Sequence, residues 1–177
     1  ETLDPRPYIW RVIGEEIPIK VLSSKPWQAG LSLVADRFQD GRVILAGDAV
    51  HLFTPTGGFG MNTGVGDAEN LGWKLAAWNK GWGGANLVDT YEGERRPVAI
   101  RNLAQSYALA QAKSALKVPT NIEDDTTEGE MVRAEFGSLT EEILAEEYFC
   151  MGIQLGARYD GSSLVDITAE PAPPPES

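Results

Sequence analysis

Gly41–Leu75 reads GRVILAGDAVHLFTPTGGFGMNTGVGDAENLGWKL, and the order of its parts decides the fold. A turn at Asp40-Gly41 leads into the apolar run Val43-Ile44-Leu45-Ala46. That run is β-branched at its start and has the length of a buried strand, as at the centre of a parallel sheet. It stops at Gly47-Asp48. A loop rich in Gly, Pro and Thr follows, and from about Asn62 the spacing turns helical. Val65, Ala68, Leu71 and Leu75 recur at three- and four-residue steps, which predicts an apolar face packed on the sheet. Strand, carboxylate, glycine loop and helix start, in that order, place a ligand at the carboxyl end of a strand and against a helix N-terminus.

Each part has its chemistry. Asp48, just past the strand, can accept hydrogen bonds from a ribose or ribitol hydroxyl. Gly57, Gly58 and Gly60 remove side chains where backbone must approach a ligand closely or adopt positive φ. Pro55 stiffens the loop ahead of them. The N–H groups around Gly60, Met61, Asn62 and Thr63 are expected to be the unpaired donors of the first helical turn, with the helix dipole adding partial positive charge. Such a site suits an anion, or a carbonyl that gains negative charge. A lone Gly-Asp is more often a plain turn with a local cap; the complete series argues for a ligand.

The stretch GRVILAGDAVHLFTPTGGFGMNTGVGDAENLGWKLAAWNKGW, followed by LVDTYEGERRP, closely resembles the second FAD-binding motif of the class A flavoprotein aromatic hydroxylases. These are the single-component phenol and polyketide monooxygenases of the p-hydroxybenzoate hydroxylase fold. The resemblance is dense from about Val21 to Arg101 and looser to Val165. It implies an α/β fold: a partial FAD-binding, Rossmann-like domain (strand plus long helix), part of a substrate-domain sheet, and a helical C-terminal segment. Residues 1–40 would close the substrate domain, 41–165 would be the C-terminal part of the FAD domain with its following helices, and 166–177 a disordered Pro-rich tail.

By the same resemblance Gly47 and Asp48 form the Gly-Asp pair whose carboxylate binds the flavin ribityl chain. Pro55 lies beside the substrate end of the isoalloxazine. Gly57 and Gly58 belong to the loop, and the backbone of Gly60, Met61 and Asn62 contacts the flavin pyrimidine edge. His51, the only histidine, is expected to pack and hydrogen-bond within the loop rather than act as a base. No catalytic acid or base is nominated. The implied activity is hydroxylation of a small aromatic substrate with FAD, NAD(P)H and O2 through a flavin C4a-hydroperoxide, by a protein that is a homodimer when complete. A reductase or epoxidase of the same fold, or a non-catalytic fragment, are the alternatives. The family's first FAD motif, with its pyrophosphate cradle, is expected upstream of Glu1, so that these residues alone would be inactive.

Composition narrows the field. A net charge of −11 over 177 residues, with no basic cluster, excludes a nucleic-acid binder. No stretch approaches the ~20 apolar residues of a membrane span. The single cysteine, Cys150, rules out an internal disulfide or a cysteine metal site, fits a cytoplasmic setting, and is expected to be a small core hydrophobe.

Elsewhere, Pro5 and Pro7 ahead of Tyr8–Ile13 predict a short helix ended by Gly14, with a strand as the other reading. Ile17–Leu22 and Leu31–Phe38 read as strands. Lys80–Gly84 should end the long helix. Leu87 to Lys117 reads as one or two helices broken near Pro97, with Leu103, Tyr107, Ala110 and Ser114 in helical register. Arg95 suits an internal ion pair or a solvated face equally. Asp124-Asp125 matches no calcium loop, and Ser114–Lys117 matches a Ser-x-x-Lys pattern without its partner motifs. Leu139–Phe149 should be a helix with Ile143, Leu144 and Phe149 inward and Glu141, Glu142, Glu146 and Glu147 outward.

Overall fold

The computed structural model describes residues 3–25, 31–84 and 86–165. The link at 26–30 and the tail expected to be disordered lie outside the described residues. Arg6–Ile13 forms α1, with a proline in its first turn and Gly14 (φ 81) closing it through an N–H bond to the Trp10 carbonyl. Ile17–Leu22, expected as a strand, forms none.

Four two-residue strands follow, in two antiparallel pairs. Leu33–Val34 (β1) pairs with His51–Leu52 (β4), and Gln39–Asp40 (β2) with Val43–Ile44 (β3). The expected parallel-sheet strand Val43–Ala46 is therefore corrected to half of a tight hairpin closed at Gly41 (φ 57). The apolar run hides a period of two. Ile44 and Ala46 pack on the core, whereas Val43 and Leu45 are exposed. Leu31–Phe38 likewise shortens to β1, yet Phe38 is fully buried. It forms a core with Val50, Tyr91 and Ala99, onto which Leu71 also packs.

Phe59–Asn79 is α2, and Thr90–Ala115 is α3. Helix α2 ends ahead of Gly81 (φ 75), as its glycines predict. Helix α3 runs through Pro97 unbroken. Proline forgoes one backbone bond there, but both flanks are pinned by buried groups, Glu94 and Arg95 before it and Val98, Ala99 and Asn102 after it. Its inward face is Asn102, Ser106 and Leu109 rather than Leu103, Tyr107 and Ala110. Thr127–Tyr148 (α4) starts a full twelve residues before the expected Leu139, because the Thr126 hydroxyl caps it by accepting the Gly129 N–H. Met151–Gln154 (α5) is a single turn. Cys150 is buried with Phe59 and Leu109, as expected, while Phe149 is 76% exposed and does not point inward.

The largest correction concerns α2. Val65 is 61% exposed, Ala68 and Leu75 are exposed too, and only Leu71 of the expected apolar face packs inward. The face buried against α3 consists of Thr63, Asp67, Asn70, Lys74 and Ala77. Those positions keep the same three- and four-residue steps, displaced around the helix. Their polar groups are matched by Glu94, Arg95 and Asn102 on α3. The seam between α2 and α3 is a hydrogen-bonded ionic one.

Candidate functional site

The Gly-Asp turn is built from beneath. Gly47 stands at φ 59 and opens a single 3-10 turn, Gly47–Ala49. Its N–H donates to the Asp67 carboxylate at 3.1 Å. Asp67, completely buried, also takes His51 Nε2 on the same oxygen at 2.6 Å and Arg95 Nε on the other at 2.8 Å. Arg95 donates onward to the Thr63 carbonyl and the Tyr159 hydroxyl, both at 3.1 Å. Close approach makes this possible. A Cβ on Gly64 would stand 3.3 Å from the Gly47 Cα, and one on Gly66 would stand 2.7 Å from an Arg95 nitrogen. Burial alone would raise the Asp67 pKa. The bonds from His51, Arg95 and Gly47 outweigh it and hold the carboxyl below its ordinary value.

His51 is thus a buried packing and hydrogen-bonding residue, as expected, but on strand β4 rather than in the loop, set edge-on to Phe53 at 4.9 Å. With Nε2 bonded to Asp67, its Nδ1 is buried without a partner. Arg95 takes the internal ion pair, not the solvated face. Asp48 projects from the same turn into solvent, free to accept.

The glycine loop is held from two sides. Ser106 Oγ donates within reach of the Thr54 and Thr56 carbonyls at 3.1 Å, and pairs with the Thr54 hydroxyl at 2.6 Å. On the other side Glu147 accepts the Gly57 N–H at 2.8 Å and pairs with Lys113. Glu147 is therefore no outward-facing carboxylate. Its pattern on α4 gave no sign of a contact ninety positions away, and neither Ser106 nor Asp67 was legible as a site residue. Gly57 (φ 78) and Gly58 (φ 65) both take the left-handed conformation that favours glycine.

Because the 3-10 turn Thr56–Gly58 runs into α2 at Phe59, the unpaired first-turn donors centre on Gly60 and Met61, while the Asn62 and Thr63 N–H groups bond within the helix. The Asn62 side chain donates back to the Gly58 carbonyl at 2.8 Å. No side chain caps the helix, and nothing stands within 4 Å of a Cβ built on Gly58. Asp48, Pro55, Gly58, Met61 and Asn62 are all exposed. The structure therefore presents an uncapped helix start, an unobstructed glycine and a free carboxylate. A ligand with hydroxyls and an electron-poor carbonyl edge fits that donor and acceptor set. Among the described residues no group of acidic, histidine or cysteine side chains could hold a metal, and no helix is long and apolar enough to cross a membrane.

A family profile described as "FAD binding domain" matches residues 12–106, and the chain belongs to that family. It is 33% identical over 176 residues to the 2,4-dichlorophenol 6-monooxygenase of Cupriavidus pinatubonensis, covering 90% of this chain and 29% of that one. It matches the structure of the rebeccamycin biosynthetic enzyme RebC with reduced flavin at a TM-score of 0.77 and 41% identity, over 90% of this chain and 31% of RebC. It also matches the flavin-dependent monooxygenase PieE in complex with FAD and substrate, at a TM-score of 0.68 and 32% identity, over 95% of this chain and 32% of PieE. The chain spans under a third of the length of these relatives. The family of FAD-dependent aromatic hydroxylases and the partial FAD-domain α/β fold expected from the sequence are both borne out.

Proposed function

We propose that this chain is a carboxyl-terminal part of an FAD-dependent monooxygenase that hydroxylates a phenolic or polyketide-like aromatic substrate with NAD(P)H and O2. In this reading residues 1–40 end the substrate domain and 41–165 complete the FAD domain. The observations that support it are the exposed Asp48 carboxylate, the left-handed Gly57-Gly58 pair and the start of α2, which no side chain caps. FAD, when bound, supplies the redox and oxygen-transfer chemistry. The protein's task is to bind it, orient it and keep water away. Asp48 would accept from ribityl hydroxyls. Gly47, Gly57 and Gly58 would shape the approach, and Pro55 would lie at the substrate end of the ring. Gly60, Met61 and Asn62 would meet the pyrimidine edge, where helix-start donors favour negative charge.

Two substitutions test this in the complete flavoprotein. Asp48→Ala removes an exposed carboxylate whose side chain makes no hydrogen bond among the described residues, so stability should hold. FAD affinity should fall roughly ten- to hundredfold, the weight of a charge-assisted bond of about 1.5–3 kcal/mol. Unchanged affinity by fluorescence titration would refute the ribityl role. Gly60→Val adds bulk where the fold itself has room, since a Cβ there meets only the Phe53 ring at 3.8 Å. It should weaken FAD binding or uncouple NAD(P)H oxidation from hydroxylation without lowering Tm. Normal flavin content with normal coupling would take this loop out of the site.

A further inference from the structure

Behind the glycine loop a cavity of about 440 Å³ is bounded by the start of α2, the middle of α3 and the turn around α5. Its charged lining residues are Arg95 and Arg101, with no aspartate or glutamate among them, in a chain whose net charge is −11. Arg95 is answered by Asp67. Among the described residues Arg101 has no carboxylate partner. Its terminal nitrogens donate to the carbonyls of Gly156 at 2.8 Å and Ile153 at 2.9 Å, with Asn102 Oδ1 more distant at 3.5 Å. Its Nε–H is buried without any partner. Burial first, and the neighbouring Arg95 charge second, push the Arg101 pKa down, as an uncompensated cation requires. The uncapped N-terminus of α2 adds its partial positive charge at Gly58 and Phe59, which also line the cavity. Glu147 reaches the Gly57 N–H but does not line the cavity, and Lys113 neutralises it.

We propose that this cavity is an oxyanion-binding site, with Arg101 as the charge partner of a carboxylate or phosphate group on a small ligand. A guanidinium has five N–H donors in a planar fork, and the Gly156 and Ile153 carbonyls take only one from each terminal nitrogen, which leaves donors for an anion. An anion supplies the missing counter-charge, and Asn62, Thr63, Asn102 and Gln154 surround it with neutral polar groups. The competing role for Arg101 is purely structural, tying the Ile153 and Gly156 carbonyls to α3. That role predicts no ligand at all. The cavity shares Gly57, Gly58 and Asn62 with the face assigned to flavin, so anion binding is measured without FAD.

The test titrates inorganic phosphate and benzoate into the ¹⁵N-labelled 177-residue chain at constant ionic strength. Saturable shifts at the Arg101 Nε–H and at the Thr63 and Asn102 amides are expected with at least one of the two. Phosphate binding as well as benzoate identifies the oxyanion alone as sufficient, whereas benzoate binding only identifies a carboxylate on a ring. Arg101→Gln should weaken binding about tenfold or more. Gln154→Glu leaves every Arg101 bond in place but puts a competing carboxylate on the exposed rim, and it should abolish binding in a folded protein. Absence of saturation by either anion, or unchanged affinity in folded Gln154→Glu, overturns the proposal. FAD affinity, followed separately by flavin fluorescence, reports on the cofactor reading and not on this one.

Discussion

Asp67→Ala is expected to destabilise the fold by about 3–5 kcal/mol, the scale for removing one partner of a buried ion pair. A domain holds only about 5–15 kcal/mol in total, so a large share of that margin is lost. The reason lies in what Asp67 leaves behind. Arg95 is 4% exposed and would keep its charge with only the Thr63 carbonyl and the Tyr159 hydroxyl as acceptors. His51 would be buried with neither ring nitrogen bonded, and the Gly47 N–H would lose its acceptor. Urea unfolding followed by circular dichroism measures the loss, and a change under about 1 kcal/mol would show that the network does not hold the fold. The same carboxylate predicts a pH dependence. Its folded pKa lies below the ordinary 3.8, so its stabilisation is fully present above that value. It is lost as pH falls through the lower folded value, because the unfolded chain then binds the extra proton more readily. Asp67→Asn should flatten that acid limb.

The same network connects stability to cofactor geometry. Asp67 does not face the open site; it holds the Gly47 N–H, and thereby sets the direction in which Asp48 leaves the turn. A partly folded Asp67 variant should therefore lose FAD affinity beyond what its unfolded fraction explains. Asp48→Ala should lose affinity with no change in stability. The pair separates the group proposed to meet the ligand from the group that aims it.

What could be read beforehand and what could not divides along physical lines. The Gly-Asp pair, the glycine loop and the helix after it were legible because turn chemistry is local: Gly14, Gly41 and Gly81 all take positive φ where a turn or helix end needs it. The buried face of α2 was not, because hydrophobic periodicity selects apolar residues as core, and here Val65 and Leu75 face out while Lys74 and Asp67 face in. A signal did exist: Thr63, Asp67, Asn70, Lys74 and Ala77 keep helical steps, and α3 carries Glu94 and Arg95, of matching opposite charge. Pairing them needs the register of two helices, which neither segment contains alone. Glu147 escaped for the same reason, since its partner Gly57 lies in a loop and carries no side chain to match. The hairpin at Val43 was misjudged as a central strand because four apolar residues in a row do not reveal that alternate ones stay exposed.

Glu94→Ala should cost as much as Asp67→Ala, about 3–5 kcal/mol, and for a sharper reason. Lys74 is completely buried, and its ammonium donates to Glu94 at 2.6 Å. On the same oxygen Glu94 accepts Asn70 at 2.7 Å, and on the other the Ser162 hydroxyl at 2.6 Å. Burial would raise the Glu94 pKa, but these three donors together hold it below its ordinary value. Removing the carboxylate strands the buried Lys74 ammonium without its counter-charge. It also frees Ser162, and with it the segment that carries Tyr159 to Arg95. Replacing both charges, as in Lys74→Met with Glu94→Leu, should recover most of the loss, because desolvation of the pair offsets its attraction. Residual loss in the double variant would measure the Ser162 and Asn70 bonds. Equal destabilisation of Glu94→Ala and the double variant would mean that the ion pair contributes nothing beyond those neutral bonds, and that the α2–α3 seam is held by packing instead.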